Sequence, residues 1–326
     1  MTTSFVDKAL DVSIAPGFSS IGFRVRRRSW TPVTDSLEGR TIVVTGATSG
    51  LGKASATTLA RLGARVILVG RDEHKTRSVV AEIETTTGSN SVHHQIADLS
   101  LLADVRKLAD RLLSEEPTIH VLINNAGTLF NERSVTSEDI ESTLATNLLG
   151  HFLLTNMLIP KLIESAPARI INVSSGGMYG QRLSVSNLQN DRGEYKGAAA
   201  YARAKRGQVI LTELWAEQLE GRGVTVNAMH PGWADTPGVE HSLPTFHKIT
   251  RPLLRTPSEG ADTIVWLAAS DEPASESGLF WHDRQPRPTH KTKRTRERFK
   301  SRRELWDALS EISGWNQKGP LDSTVQ

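Results

Sequence analysis

Residues 41–62 read TIVVTGATSGLGKASATTLARL. Thr41–Thr45 is an apolar, β-branched run of strand length, and Lys53–Leu62 repeats its apolar positions at helical spacing. Between them lies Thr45-Gly46-Ala47-Thr48-Ser49-Gly50-Leu51-Gly52. Glycines let a backbone turn tightly and approach a pyrophosphate, whose charge is favoured by the free N–H groups and dipole of a helix N-terminus. The glycine spacing alone is a weak signal; its place between a first strand and a first helix is the context that a dinucleotide site requires. Thr45, Gly46, Ser49, Gly50, Leu51 and Gly52 are therefore candidate cofactor-binding residues.

Downstream, short apolar runs at Val66–Val69, His94–Ala97, Val121–Asn124, Ile170–Ser174 and Val224–Met229 alternate with helical patterns such as Asp104–Leu113, Ile140–Ile163 and Tyr201–Leu219. This alternation predicts an α/β fold, a Rossmann-type doubly wound parallel sheet with helices on both faces. Residues 40–283 read as one dinucleotide-binding domain, with an N-terminal arm (1–39) and a basic C-terminal extension (284–326).

The tip of the second strand bears on the cofactor's ribose. An acid there binds a 2′-hydroxyl, whereas a basic group meets a 2′-phosphate. Val66-Ile67-Leu68-Val69 runs into Gly70-Arg71, so Arg71 argues for NADP(H); NAD(H) stays open, with Asp72 on the ribose and Arg71 merely solvated. Asp98-Leu99, after the third strand, is a candidate for the adenine edge; an Asp-Leu-Ser run is more often a helix N-cap, and the two roles are compatible.

The 326 residues include no cysteine, which excludes disulfides, thiolate metal sites and cysteine nucleophiles and fits a reducing compartment. The net charge of +3 conceals an uneven distribution: Arg284–Arg303 contributes +9 and the knot Arg24, Arg26, Arg27, Arg28 contributes +4, leaving −10 for the rest. An acidic body thus carries basic ends. Residues 1–40 hold no apolar core of a secretory signal; the Arg/Ser content of Phe18–Trp30 has a transit-peptide flavour that Asp7 and Asp11 oppose, so a partly ordered arm and a cytoplasmic protein are expected. Ser142–Pro160 is uncharged over 19 residues, but seven are polar, and it reads as a buried helix. His93-His94, His241, His247 and His290 lack metal-site spacing, no metal is expected, and His230 reads as packed.

Taken in order, Thr45-Gly46-x3-Gly50-x-Gly52, Asn124-Asn125-Ala126-Gly127, Asn147, Ser175, Tyr201-x3-Lys205 and Pro231-Gly232 resemble the short-chain dehydrogenase/reductase superfamily. Ser174-Ser175-Gly176-Gly177-Met178, Lys205-Arg206-x-Gln208-Val209, His230 to Val239 and Phe280 to Pro286 look like the dehydrogenase/reductase member-12 group, itself similar to retinol-dehydrogenase-like reductases. The resemblance implies an NADP(H)-linked interconversion of a carbonyl and an alcohol. Tyr201 would be the general acid/base, Ser175 the hydrogen bond to the substrate oxygen, Lys205 the ribose ligand and Asn147 the anchor of a water relay. Asn125, Ala126, Gly127, Pro231, Gly232 and Thr236 would complete the cofactor site, and Trp233 could line the substrate pocket. Lys205 follows Tyr201 by one helical turn, and its ammonium is expected to draw the phenol toward working pH.

Ser175 and Tyr201 stand 26 residues apart, about twice the spacing of many relatives. The surplus, Gln181–Gly197, is expected to form a lid with Pro237–Arg255. The expected substrate is a small carbonyl or alcohol, lipid-like by analogy with relatives, and a homodimer through Ile140–Ile163 and Tyr201–Leu219 is the superfamily's habit. The competing reading is a cofactor-binding scaffold or membrane-surface protein that uses Lys291–Arg303 on anionic lipid. Nucleic acid is disfavoured because Phe299 is the only aromatic in that run. Glu304–Ile312 reads as a short amphipathic helix with Leu305, Leu309 and Ile312 on one face.

Overall fold

The computed structural model describes residues 13–316 together with Asp7, Leu10 and Asp11. The remainder of the N-terminal arm, and residues 317–326 of the C-terminal extension, lie outside the described residues. In chain order the helices are α1 (Ile14–Phe18), α2 (Ser20–Arg27), α3 (Gly50–Arg61), α4 (Glu73–Thr87), α5 (Leu102–Glu115), α6 (Gly150–Glu164), α7 (Gly197–Gln218), α8 (Pro237–Ser242), α9 (Pro244–Thr250), α10 (Pro257–Ala269) and α11 (Phe299–Ser313). The strands are β1 (Thr41–Thr45), β2 (Arg65–Gly70), β3 (Val92–Ile96), β4 (Val121–Asn124), β5 (Ala168–Val173), β6 (Val224–Met229), β7 (Phe280–His282) and β8 (Gln285–Pro286).

The strands form one sheet in the order β3-β2-β1-β4-β5-β6-β7-β8, parallel except for the terminal β7–β8 hairpin. The order reverses between β1 and β4, and a doubly wound sheet binds its ligand in the crevice at that switch point. One face is covered by α5, α6 and α7, whose Leu108, Leu112, Leu154, Leu158, Leu211 and Leu214 share a core with Val43, Leu122 and Ile170. The other is covered by α3, α4 and α10 through Leu59, Val79, Ile83, Ile264 and Trp266. β1 is buried along its whole length because helices cover both faces, hence its uninterrupted TIVVT.

Three features depart from the sequence reading. β7 and β8 extend the sheet with strands of three and two residues, too short to show a period. The apparent helix from Ile140 begins at Ser142 and passes through a π-turn, Ala145–Leu149, before α6. The arm around Phe18–Trp30 is helical, and Arg26, read as part of a basic knot, is buried in ion pairs with Asp7 and Asp283. Those partners lie 19 and 257 residues away, beyond any local pattern.

The C-terminal amphipathic helix is present and longer than its apolar pattern suggested. Leu305 and Leu309 are buried, Ile312 is partly buried, and Trp306 meets Phe152 of α6 at 5.0 Å and Trp215 of α7 at 6.4 Å. Arg302 pairs with Glu213 and Glu217, so the basic segment folds back onto acids of the body. Among the described residues no helix is long and apolar enough to cross a membrane, and Ser142–Pro160 is instead buried in the core.

Candidate active site

The glycine loop bridges β1 and α3 as its sequence requires. Gly46 turns with φ +64°, and a Cβ there would lie 2.7 Å from the Ala126 Cα, so only glycine lets the two loops touch. Thr45 Oγ1 accepts from the amides of Asn125 and Ala126, while Asn125 Nδ2 donates to the Thr45 carbonyl at 2.8 Å. Ser49 sits at the N-cap, followed by Gly50, Leu51 and Gly52 in the first turn of α3. Leu51 also packs against Gly260 of α10. This cradle of backbone N–H groups without Cβ atoms fits a dinucleotide pyrophosphate.

At its rim, Gly46 and Ala47 donate to the Val69 carbonyl, which brings the end of β2 to the loop. Arg71 follows and is exposed. Asp72 instead caps α4, accepting from the Lys75 amide at 2.8 Å. Asp98 accepts from both the amide and the hydroxyl of Ser100, and Leu99 is buried beside it. Thr236 caps α8 and contacts Gly50, which brings the Pro231–Thr236 loop to the start of α3.

Two residues read as catalytic converge on Gly127. A Cβ on this glycine would lie 2.8 Å from Asn147 Oδ1 and 3.1 Å from Lys205 Nζ. Asn147 occupies the π-turn, a distortion frequent at functional sites. Both Nδ2 hydrogens are engaged, with the Thr128 and Thr143 carbonyls, and Oδ1 accepts from the Thr128 amide. Lys205 Nζ donates to the Val173 carbonyl at 2.8 Å and lies 5.5 Å from the centroid of the Tyr201 ring. Ser175 Oγ accepts from the Gly177 amide at 3.1 Å and interacts with the Tyr201 hydroxyl.

The electrostatics correct one expectation. Burial pushes the Tyr201 phenol up to about 12, against an opposing hydrogen bond from Ser175. Burial also pulls the Lys205 ammonium down to about 7. The lysine does not lower the phenol in this dry site, because desolvation penalises the charged form of both groups. His151, one turn beyond Asn147, is likewise driven down to about 3 by burial and the nearby Lys205, and shares a hydrogen bond with Gln208.

The two segments expected to form a lid meet the same loop after β4: the Tyr195 hydroxyl donates to the Phe130 carbonyl, and Ser242 donates to the adjoining Leu129 carbonyl. Gln181–Gly197 is anchored on the loop before α6: Glu141 donates its amide to Gln189 Oε1 and accepts from Asn190 Nδ2, while the Tyr195 hydroxyl meets Thr143. In Pro237–Arg255, Phe246 lies edge-on to Trp233 at 5.3 Å and the Ser242 carbonyl accepts from Asn131 Nδ2 at 3.1 Å. Glu141 was missed by the sequence reading because a lone acid carries no pattern. His230 is packed, stacked on His282 at 3.8 Å.

Comparison with known proteins agrees with this architecture. Residues 40–245 match the short chain dehydrogenase family. Dehydrogenase/reductase SDR family member 12 of Bos taurus is 42% identical over 278 residues, 84% of this chain and 86% of the relative. Retinol dehydrogenase 12 of Bos taurus is 38% identical, with 85% of this chain and 87% of the relative covered. A solved structure from Escherichia coli CFT073 complexed with NADPH superposes with a TM-score of 0.63 at 28% identity, covering 78% of this chain and 100% of that one. With the glycine cradle at the switch point and this match over most of its length, the chain belongs to the short-chain dehydrogenase/reductase family of oxidoreductases.

Proposed function

We propose that the protein is an NADP(H)-dependent oxidoreductase that interconverts a carbonyl and an alcohol and runs chiefly as a reductase. The observation that carries this reading is the convergence of Asn147 and Lys205 on Gly127, next to Tyr201 and Ser175 and beside the glycine cradle. Thr45, Gly46, Ser49, Gly50, Leu51 and Gly52 would hold the pyrophosphate, Arg71 the 2′-phosphate, and Asp98 and Leu99 the adenine. Asn125, Ala126, Gly127, Pro231, Gly232 and Thr236 would frame the nicotinamide half, with Tyr201 and Lys205 on its ribose. When bound, NADP(H) supplies the hydride.

The chain's own residues handle the oxygen and the proton. Ser175 hydrogen-bonds the substrate oxygen and stabilises its developing charge. Tyr201, neutral at pH 7 because burial holds it near 12, donates the proton that an alkoxide requires. Oxidation would need the phenolate, which the same burial disfavours. Lys205 titrates near neutrality and can return a proton to Tyr201. Asn147 fixes the Gly127–Thr128 turn beside that lysine and would anchor a relay water there.

NADP(H) is favoured over NAD(H) by the exposed Arg71, by the commitment of Asp72 to its cap, and by the NADPH-bound relative. The retinol dehydrogenase relative supports an apolar, lipid-like carbonyl or alcohol. A monomer is favoured over a homodimer because α11 occupies the outer side of α6 and α7. A second reading, peripheral contact of a cytoplasmic protein with anionic lipid, is favoured by Phe299, 64% exposed between Arg298 and Lys300. The deciding experiment is a screen of metabolite extracts for carbonyls consumed with NADPH. Compounds consumed by the wild type and spared by Tyr201→Phe support the reading; equal consumption by both defeats it.

A further inference from the structure

Residue 18 joins two loops of the candidate site. The Trp233 amide donates to the Phe18 carbonyl at 2.8 Å, and the Arg255 amide donates to the Trp233 carbonyl at 2.7 Å. The Phe18 ring is 4% exposed and meets His230 edge-on at 4.5 Å and Trp233 at 6.3 Å. On its other side, a Cβ added to Gly176 would lie 2.6 Å from Phe18 Cε2. Gly176 adjoins Ser175 at the end of β5, whereas Trp233 belongs to the loop after β6. One aromatic ring from outside the motif-bearing region therefore bridges the serine loop and the Pro231–Thr236 loop.

The ring is held in register by a buried ionic lattice. Arg26 pairs with Asp7 at 2.6 Å and Asp283 at 2.7 Å, and Arg255 grips Asp283 with two nitrogens at 2.6 and 2.9 Å. Both arginines also donate to the Gly17 carbonyl, at 2.9 and 3.1 Å. Asp283 reaches them from the β7–β8 turn, where Asp283 and Arg284 adopt φ +53° and +56°. Two consecutive left-handed non-glycine residues are costly for a hairpin turn, and such strain persists only where surrounding contacts fix it. Apolar packing alone could cover a surface; charges aimed at one carbonyl additionally prevent the arm from sliding by a residue.

We propose that the N-terminal segment is a working part of the active site and that Phe18 is a positioning residue. It sets the spacing between the Ser175–Gly176 turn and Trp233, and hence the room for the substituents of a carbonyl in front of Tyr201. The proposal rests on the oxidoreductase reading above and refines its substrate class. Phe18, Trp233 and Phe246 make this side aromatic, and the neighbouring Arg26 and Arg255 are paired with aspartates. The fitting substrate is an uncharged carbonyl with a flat or apolar substituent.

The test uses the full chain, with Phe18→Ala as the main variant and Phe18→Leu as a milder one that keeps most of the volume. Hydrogen exchange requires no turnover. Phe18→Ala should exchange at least about 10-fold faster in segments 175–180 and 231–236 while β1 stays protected, and Phe18→Leu should restore most of the protection. At saturating NADPH, the kcat/KM ratio of 2-naphthaldehyde to benzaldehyde should rise at least about 10-fold in Phe18→Ala. Unchanged exchange in those segments, or equal effects on the two aldehydes, would overturn the proposal. Tyr201→Phe run alongside separates the two ideas: full turnover there defeats the catalytic reading while leaving the exchange result to judge the arm.

Discussion

The Lys205 ammonium donates to the Val173 carbonyl at 2.8 Å, in a site dry enough to draw its pKa to about 7. In the unfolded chain the lysine keeps its ordinary value of 10.5. Between these values the unfolded state binds the extra proton, so this group makes stability rise with pH from about 7 to about 10. Tyr201 works in the opposite direction above pH 10, where the unfolded phenol ionises and the buried one does not. Thermal unfolding of the apo protein should therefore shift upward between pH 7 and 10, and Lys205→Met should flatten that rise. A parallel pH profile in the variant would remove Lys205 as its source.

Arg71 is exposed at the rim of the cradle, whereas Asp72 is tied to the Lys75 amide. Arg71→Asp should weaken NADPH binding by about 10-fold or more, the loss of one charge-assisted phosphate contact, and leave NADH binding within about twofold. Titration by cofactor fluorescence measures both; equal losses would take Arg71 off the ribose.

Trp306 fills the groove between Phe152 and Trp215 and is 3% exposed. Trp306→Ala should cost about 3–5 kcal/mol in denaturant unfolding, the usual range for emptying a buried aromatic site. Sedimentation should show self-association in a chain lacking Phe299–Ser313, because the apolar outer side of α6 and α7 is then uncovered. A monodisperse truncated chain would show that α11 is not what keeps this surface from pairing.

Asn190, Gln189 and Tyr195 tie the long insertion to Glu141, Thr143 and the Phe130 carbonyl, and Ser242 of α8 binds the adjoining Leu129 carbonyl. Replacing Gln181–Gly197 by a short turn should lower the melting temperature by several degrees through loss of the buried Glu141 contacts, and should reorder the preferred substrates. An unchanged substrate preference in a folded variant would show that the insertion is no lid.

Much of this arrangement is legible in the sequence wherever it repeats or sits next to itself. The five-residue β1, the glycine loop and the Tyr201–Lys205 turn are local, and six strands fell within two residues of their apolar runs. The π-turn at Asn147 is hidden because Ala145–Leu149 has the composition of ordinary helix. Arg26 and Asp283 carry no local sign of their pairing until the fold brings them together across 257 positions. The phenol's direction of shift was misread for a related reason: the i+4 spacing places Lys205 near Tyr201, but how dry their surroundings are depends on the whole fold.

Proton delivery by Tyr201 is measured by comparing the wild type with Tyr201→Phe. NADPH oxidation by a carbonyl substrate should fall by at least about 100-fold in Tyr201→Phe, the scale of a lost general acid, while NADPH affinity stays within a few-fold. Retained turnover in a folded, NADPH-binding Tyr201→Phe protein would mean that another group delivers the proton.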